Sequence, residues 1–215
     1  IDMSEYSAEY SNGSGGVDKL IGMPRGIVGS ERGGIFTNQL KDNPYCVILL
    51  DEIEKSSISL RNLFLQAFDE GWLTDGRGKR VYLSDAVVIM TSNLGSQLFK
   101  KLTNPMGFAD QNDPDTSQIM KEVKVQMEKT FTPEFVNRID EVIVFSPLAG
   151  GEVRQIANKY LEEIKTALGG EGKTLSIDND VLDKLVLDGH SLAFGARFLK
   201  REIDVRIKIP LSNRL

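Results

Sequence analysis

The sequence predicts an α/β fold: a parallel β-sheet flanked by helices, followed by a smaller, mostly helical unit. Three observations predict it. Short apolar runs of strand length recur at Cys46–Leu50, Ala86–Thr91 and Glu141–Phe145, as expected of strands buried in a parallel sheet. Between the first two, Leu60, Leu63, Phe64, Ala67 and Phe68 fall at helical spacing. After about Leu148 the strand signals fade and amphipathic helices dominate. Repeated strand–helix alternation implies a sheet covered on both faces.

Taken in order, the first punctuation is the Gly/Ser segment "SNGSGG", Ser11 to Gly16, followed by the Gly-rich stretch "GMPRGIVGSERGG". The first strand comes next and ends in two adjacent carboxylates, Asp51 and Glu52. The helix after it leads into "LTDGRGKRVYL", whose Asp75-Gly76 and Gly78 between strand-like residues signal a hairpin. The second strand ends in "TSN". A polar, proline-broken stretch, Ala109 to Gln118, precedes "FTPEFVNRIDEVIVF", which holds the third predicted strand. "SPLAGGE", Ser146 to Glu152, has the proline and glycines of a domain boundary. The organisation expected is residues 1–148 as an α/β unit and 149–215 as a helical one. In the latter, Val153, Ile156, Ala157, Tyr160, Leu161 and Ile164 mark one long helix. A glycine break, a short strand "TLSI" and a second helix from about Asp180 follow.

Composition narrows the class. The net charge is −5 with both signs interspersed, which argues against the clustered basic face of a nucleic-acid binder. No apolar run approaches the roughly 20 residues that span a bilayer, and no charged-then-apolar leader opens the chain. Cys46 is the only cysteine and His190 the only histidine. Internal disulfides are therefore excluded and a structural zinc site is not expected. These features read as a soluble protein of a reducing compartment.

Five residues stand where phosphate chemistry would need them. In an open parallel sheet, ligands bind beyond the carboxyl ends of the strands. Asp51 there would hold Mg2+ and Glu52 would orient and deprotonate a water; a solvated acidic turn is the alternative. Asn93, after the second strand, would lie beside that pair, or simply form a turn. Arg138 would project from just before the third strand toward a neighbouring subunit's phosphate, or pair with Asp140 or Glu141. Arg197, near the start of a helix in the small unit, would reach a phosphate held between the units, or cap an acidic surface.

The combination resembles the second ATPase module of the Clp/ClpB class of AAA+ unfoldases, most closely the ClpC/ClpA kind. The matching segments are "IDMSEY", "LIGMPRGIVGSERGG", "VILLDEIEK", "LFLQAFDEGWLTDGRGKRV", "VIMTSNLGS", "FTPEFVNRIDEVIVF" and "FGARFLKREI", in order along the chain. The resemblance implies an AAA+ large subdomain with a parallel sheet and a small helical subdomain. Asp51 and Glu52 resemble the Walker B pair, Asn93 the γ-phosphate sensor, Arg138 the arginine finger and Arg197 the second sensor. Gly26, Ile27, Val28 and Gly29 correspond to the substrate pore loop. ATP and Mg2+ are the implied cofactors, and a homohexamer that pulls unfolded polypeptides, with or without adaptors, the implied assembly.

Three departures qualify it. No "GxxxxGK[ST]" phosphate loop occurs in the 215 residues; the family carries that loop and the sheet's first strand just upstream of the matching segments. The chain is thus expected to be a partial large subdomain, inactive alone. Ile27 stands where the family presents an aromatic, which removes a flat ring from the polypeptide grip. The Gly/Ser segment has no counterpart.

Met106-Gly107-Phe108 resembles the tripeptide by which family members dock on a ClpP-type peptidase, and exposed Met and Phe side chains seek such a partner. The expected function is therefore an ATP-driven unfoldase feeding that peptidase. A protease-independent ClpB-like disaggregase and a non-hydrolysing AAA+ scaffold stay open. The expected setting is the bacterial cytosol, or an organelle stroma or matrix.

Overall fold

The computed structural model describes residues 1–7, 16–96, 116–146, 148, 150–189 and 196–213. The chain divides into two compact units, with the first ending at Val142 and the second running from Ile143. Met106-Gly107-Phe108 and all of the Gly/Ser segment except Gly16 lie outside the described residues.

In the first unit, β1 (Val47–Leu50) pairs in parallel with β4 (Val87–Met90), Leu50 opposite Met90. On the opposite edge of β1 the opening residues run alongside in parallel. The Asp51 amide donates to the Ile1 carbonyl at 2.9 Å, and the Met3 amide to the Asp51 carbonyl at 2.8 Å. A 3-10 turn, Met3–Tyr6, then buries Met3 and Tyr6. Helix α1 (Val17–Ile21) and helix α2 (Ile35–Asp42) flank a glycine-rich loop.

Helix α3 (Ile58–Glu70) forms because its ends are capped and one face is apolar. Ser57 Oγ accepts the Leu60 amide, and Gly71 ends the helix at φ 72°, in the left-handed region. Leu60, Phe64 and Ala67 recur at helical spacing and are fully buried, each large side chain contributing roughly 1.5–3 kcal/mol. The hairpin expected from the Asp-Gly signal is β2 (Trp72–Thr74) and β3 (Arg80–Tyr82), antiparallel. Helix α4 (Thr116–Thr130) and the short α5 (Pro133–Val136) close the unit. Their ends stack Phe131 on Phe135, and Phe135 meets Phe68, extending an aromatic row through Phe64 to Phe36.

Ile48 and Leu50 of β1 are buried, whereas Val47, Leu49, Val87 and Ile89 are exposed. Two sequence expectations are corrected. Residues 141–145 form no ladder, and Ile143 and Phe145 are exposed; an apolar run becomes a strand only where an edge accepts it. For the same reason "TLSI" (174–177) forms no strand.

The second unit is a helical cluster: α6 (Gly150–Gly169), α7 (Asn179–Gly189), α8 (Ala196–Ile203), a π turn over Asp204–Lys208, and α9 (Ile209–Ser212). Val153, Ala157 and Leu161 of α6, Leu182 and Leu185 of α7, and Leu199 and Ile203 of α8 make its core. Gly189 lets α7 approach α8 closely, since a Cβ there would meet Leu199 Cδ1 at 2.8 Å.

Candidate functional site

The β1–β4 register decides which side chains meet. Leu50 opposite Met90 brings Asp51 beside Thr91, and the Ile53 amide closes the pairing by donating to the Thr91 carbonyl at 3.1 Å. The chain then turns sharply: Glu52 has φ 56°, the one non-glycine residue among those described with positive φ. This left-handed conformation is strained for a residue that carries a Cβ, and such strain clusters at functional positions. A 3-10 turn, Ile53–Lys55, follows.

Around this turn a polar network forms. Thr91 Oγ1 donates to Asp51 Oδ1 and accepts the Glu52 amide at 3.1 Å. Asn93 Nδ2 donates to Glu52 Oε1 at 2.9 Å, and the Lys55 ammonium lies 2.6 Å from Glu52 Oε2. Each oxygen of the Glu52 carboxylate therefore holds one donor, which fixes its plane. The hydrogen bond from Lys55 to Glu52 raises the lysine pKa above its ordinary value. The Asn93 amide in turn donates to Glu54 Oε1 at 3.1 Å, and Glu54 Oε2 is buried without a partner.

The structure thus brings Asp51, Glu52 and Asn93 together, as their positions at the strand ends predict. Thr91 and Lys55 belong to the same network, and sequence reading missed both. Their signal was the matched register of "LLDEIEK" and "MTSN", visible only once the two strands are aligned. Arg138 sits in the turn after α5 and pairs with Asp69 of α3, rather than with Asp140 or Glu141. Arg197 is exposed in the first turn of α8, in the second unit.

The donor set suits a hydrated Mg2+. That ion keeps several waters and takes one or two carboxylates together with phosphate oxygens. Asp51 offers one such carboxylate at an exposed strand end. Among the described residues no group of three or more Asp, Glu, His or Cys could cage a metal by itself.

The loop Gly22–Gly34 presents the second candidate surface. Gly26 and Gly29 both have φ 91°, and a Cβ on either would meet nothing within 4 Å. Between them Val28 is 97% exposed and Ile27 48%. Two branched apolar side chains held out on a glycine-flanked tip are unusual in a solvated loop.

Comparison with known proteins shows the family and the fold. Residues 1–142 match the family described as AAA domain (Cdc48 subfamily), and residues 148–215 the C-terminal, D2-small domain of ClpB protein. The chaperone protein ClpB of Rhodopirellula baltica is 39% identical over all of this chain and 23% of its own length. A probable ATP-dependent Clp protease ATP-binding subunit of Chlamydia pneumoniae is 37% identical over all of the chain and 25% of its own. The Hsp104:casein complex of S. cerevisiae in its extended conformation superposes with a TM-score of 0.82, at 34% identity, over 100% of this chain and 35% of that one. The closed state of Hsp104 with ATPγS and casein gives 0.81 at the same identity and coverage. The chain spans about a quarter of the length of the curated relatives it matches.

Proposed function

This chain belongs to the AAA+ family, in its Clp/ClpB class, with a large α/β and a small helical subdomain, and on that premise we propose that it is a polypeptide-unfolding ATPase module of a hexameric ring. The observation that carries the reading is the network at the ends of β1 and β4. Asp51 would hold Mg2+, which when bound would supply charge neutralisation at phosphate oxygens. Glu52 takes the proton of the attacking water. Asn93 and Lys55 hold its carboxylate in one orientation, and Thr91 ties the Asp51 carboxylate to the Glu52 backbone amide. Arg138 and Arg197 are offered to phosphate charge, the first from a neighbouring subunit. Ile27 and Val28 grip the polypeptide. Support comes from relatives named as ClpB chaperones and Clp ATP-binding subunits, and from Hsp104 structures that hold casein.

The test is Glu52→Gln in the full-length protein. ATP affinity and ring assembly should persist while turnover falls by at least ~100-fold, the scale of a lost general base. Normal turnover would remove Glu52 from the reaction.

Two readings of the downstream step each have an observation behind them. The match of residues 148–215 to the ClpB small domain favours a chaperone that works without a protease. Met106-Gly107-Phe108 favours docking on a ClpP-type peptidase. A pull-down of the peptidase by wild-type and Phe108→Ala rings under ATP separates them. Binding that is lost in the variant selects the second reading, and binding by neither ring the first.

A further inference from the structure

We propose that the β2–β3 turn, Asp75–Gly78, is a brace for the 22–34 loop, and that Arg77 is the positioning residue through which it holds Ile27 and Val28 out for polypeptide. The proposal rests on the reading of that loop as the polypeptide grip.

The neck of the loop is tied on three sides. Its two ends touch each other backbone to backbone. A Cβ on Gly34 would lie 2.1 Å from the Leu20 carbonyl oxygen, and one on Gly22 would lie 2.7 Å from the Gly34 nitrogen. Helix α2 ties the returning end, because Asn38 Nδ2 donates to the Arg32 carbonyl at 2.8 Å. The third tie comes from a distant part of the chain. The Gly76 amide donates to the Ile21 carbonyl at 2.9 Å, and a Cβ on Gly76 would meet the Gly22 carbonyl oxygen at 2.2 Å. Arg77 Nε then reaches past the neck and donates to the Ser30 carbonyl at 3.1 Å. That bond is the described contact between the hairpin and the outer part of the loop, beyond Gly29.

The turn is built stiffly enough to act as a support. Asp75 is 3% exposed, and its carboxylate accepts the Arg77 and Lys79 amides at 2.9 and 2.8 Å. Lys41 Nζ of α2 lies 2.5 Å from its second oxygen. Three donors on one buried carboxylate fix both the turn and its seat on α2. The tip, by contrast, has open space around Gly26 and Gly29. A rigid neck and a free tip result, and Arg77 spans the two.

The same hairpin continues directly from α3, whose capped first turn follows the Glu52 turn. One packed helix therefore joins the hydrolytic carboxylate to the brace. A discrete rearrangement at Glu52 has a physical route to the loop through it.

The test uses the full-length protein, with fluorescein-labelled casein as the probe. Arg77→Ala should leave basal ATPase and the melting midpoint unchanged, yet raise the half-saturating casein concentration by about 3–30-fold. Gly76→Ala, whose Cβ would drive the turn off the Gly22 carbonyl, should raise it as well, with a lowered melting midpoint that Arg77→Ala does not show. Ile27→Asp serves as the control on the loop itself and should also weaken casein. In the Ile27→Asp background, Arg77→Ala should cost nothing more, because a brace acts only through the tip it supports. If Ile27→Asp weakens casein and Arg77→Ala does not, the brace is overturned and the loop reading survives. If Ile27→Asp leaves casein affinity intact, the loop reading falls and takes the brace with it. Equal loss of basal ATPase and melting midpoint in Arg77→Ala would make Arg77 a stabilising residue only, and also overturns the proposal.

Discussion

At Thr91 a single hydroxyl donates to Asp51 Oδ1 and accepts the Glu52 backbone amide, so one side chain ties the Asp51 carboxylate to the backbone of the Glu52 turn. Asp51 and Glu52 were legible from sequence because an apolar strand ending in paired charge is locally recognisable. Asn93 was legible as a polar group ending the next strand. Thr91 carries no local signal beyond ending that strand, since its partners lie 40 and 39 residues away in the chain. Lys55 carries none either, because a lysine in an acidic turn has the pattern of a solvated charge. The structure instead sets it on Glu52 Oε2. On the proposed chemistry, Thr91→Val keeps the shape and removes the hydroxyl, leaving the Glu52 amide without its acceptor. Turnover should fall by about 10–100-fold, the usual effect of losing a group that orients a metal ligand. Thr91→Ser should restore most of it. A Thr91→Val enzyme with parental turnover across a Mg2+ titration would show that the hydroxyl positions nothing that matters.

At the scale of elements, the hairpin and the helices over Leu60–Phe68, Val153–Ile164 and from about Asp180 were readable, the short helices at 17–21, 35–42 and 133–136 were not, and two of the four apolar runs expected as strands formed none. Asp75-Gly76 between alternating residues specifies a turn locally, and the Leu60–Phe64–Ala67 stripe specifies a helix face locally. Strand formation at 141–145 and 174–177 required an accepting edge, which composition cannot report. The hairpin turn also carries a pH-dependent contribution to stability. Burial pushes the Asp75 carboxyl up, but the Lys41 ammonium and the Lys79 and Arg77 amides outweigh it and hold the pKa below its ordinary value. A carboxyl depressed in the folded state stabilises fully above the unfolded pKa of about 3.9. That contribution disappears as pH falls through the lower folded value. Asp75→Asn should therefore destabilise the protein at pH 7 by roughly 1.5–3 kcal/mol, the range for hydrogen bonds to a charged group. The gap between variant and parent should narrow as the pH drops below about 4. Urea melts at pH 7 and pH 3 measure both; a gap independent of pH would mean that the Asp75 charge contributes nothing.

At the scale of the whole assembly, Arg138 separates a structural from a catalytic role. Within one chain its guanidinium pairs with Asp69, and both side chains are substantially exposed, at 51% and 38%. An exposed pair of this kind contributes about 0–1 kcal/mol, so the contact is easily exchanged for another anion. If the pair were the purpose of Arg138, deleting either partner would have the same small effect. On the proposed reading the two partners differ: Asp69→Asn should leave ATP turnover near parental, whereas Arg138→Ala should abolish it in homohexamers. A finger acts on the next subunit's site, so the base and the arginine of one site come from different chains. Rings mixed from Arg138→Ala and Glu52→Gln subunits then contain some interfaces with an intact Glu52 facing an intact Arg138. Such rings should recover turnover that neither parent shows, rising and falling with the mixing ratio. Mixed composition is checked by differently tagged subunits captured in tandem. Parental activity in Arg138→Ala homohexamers, or no recovery in rings proven to contain both chains, would return Arg138 to its ion pair with Asp69.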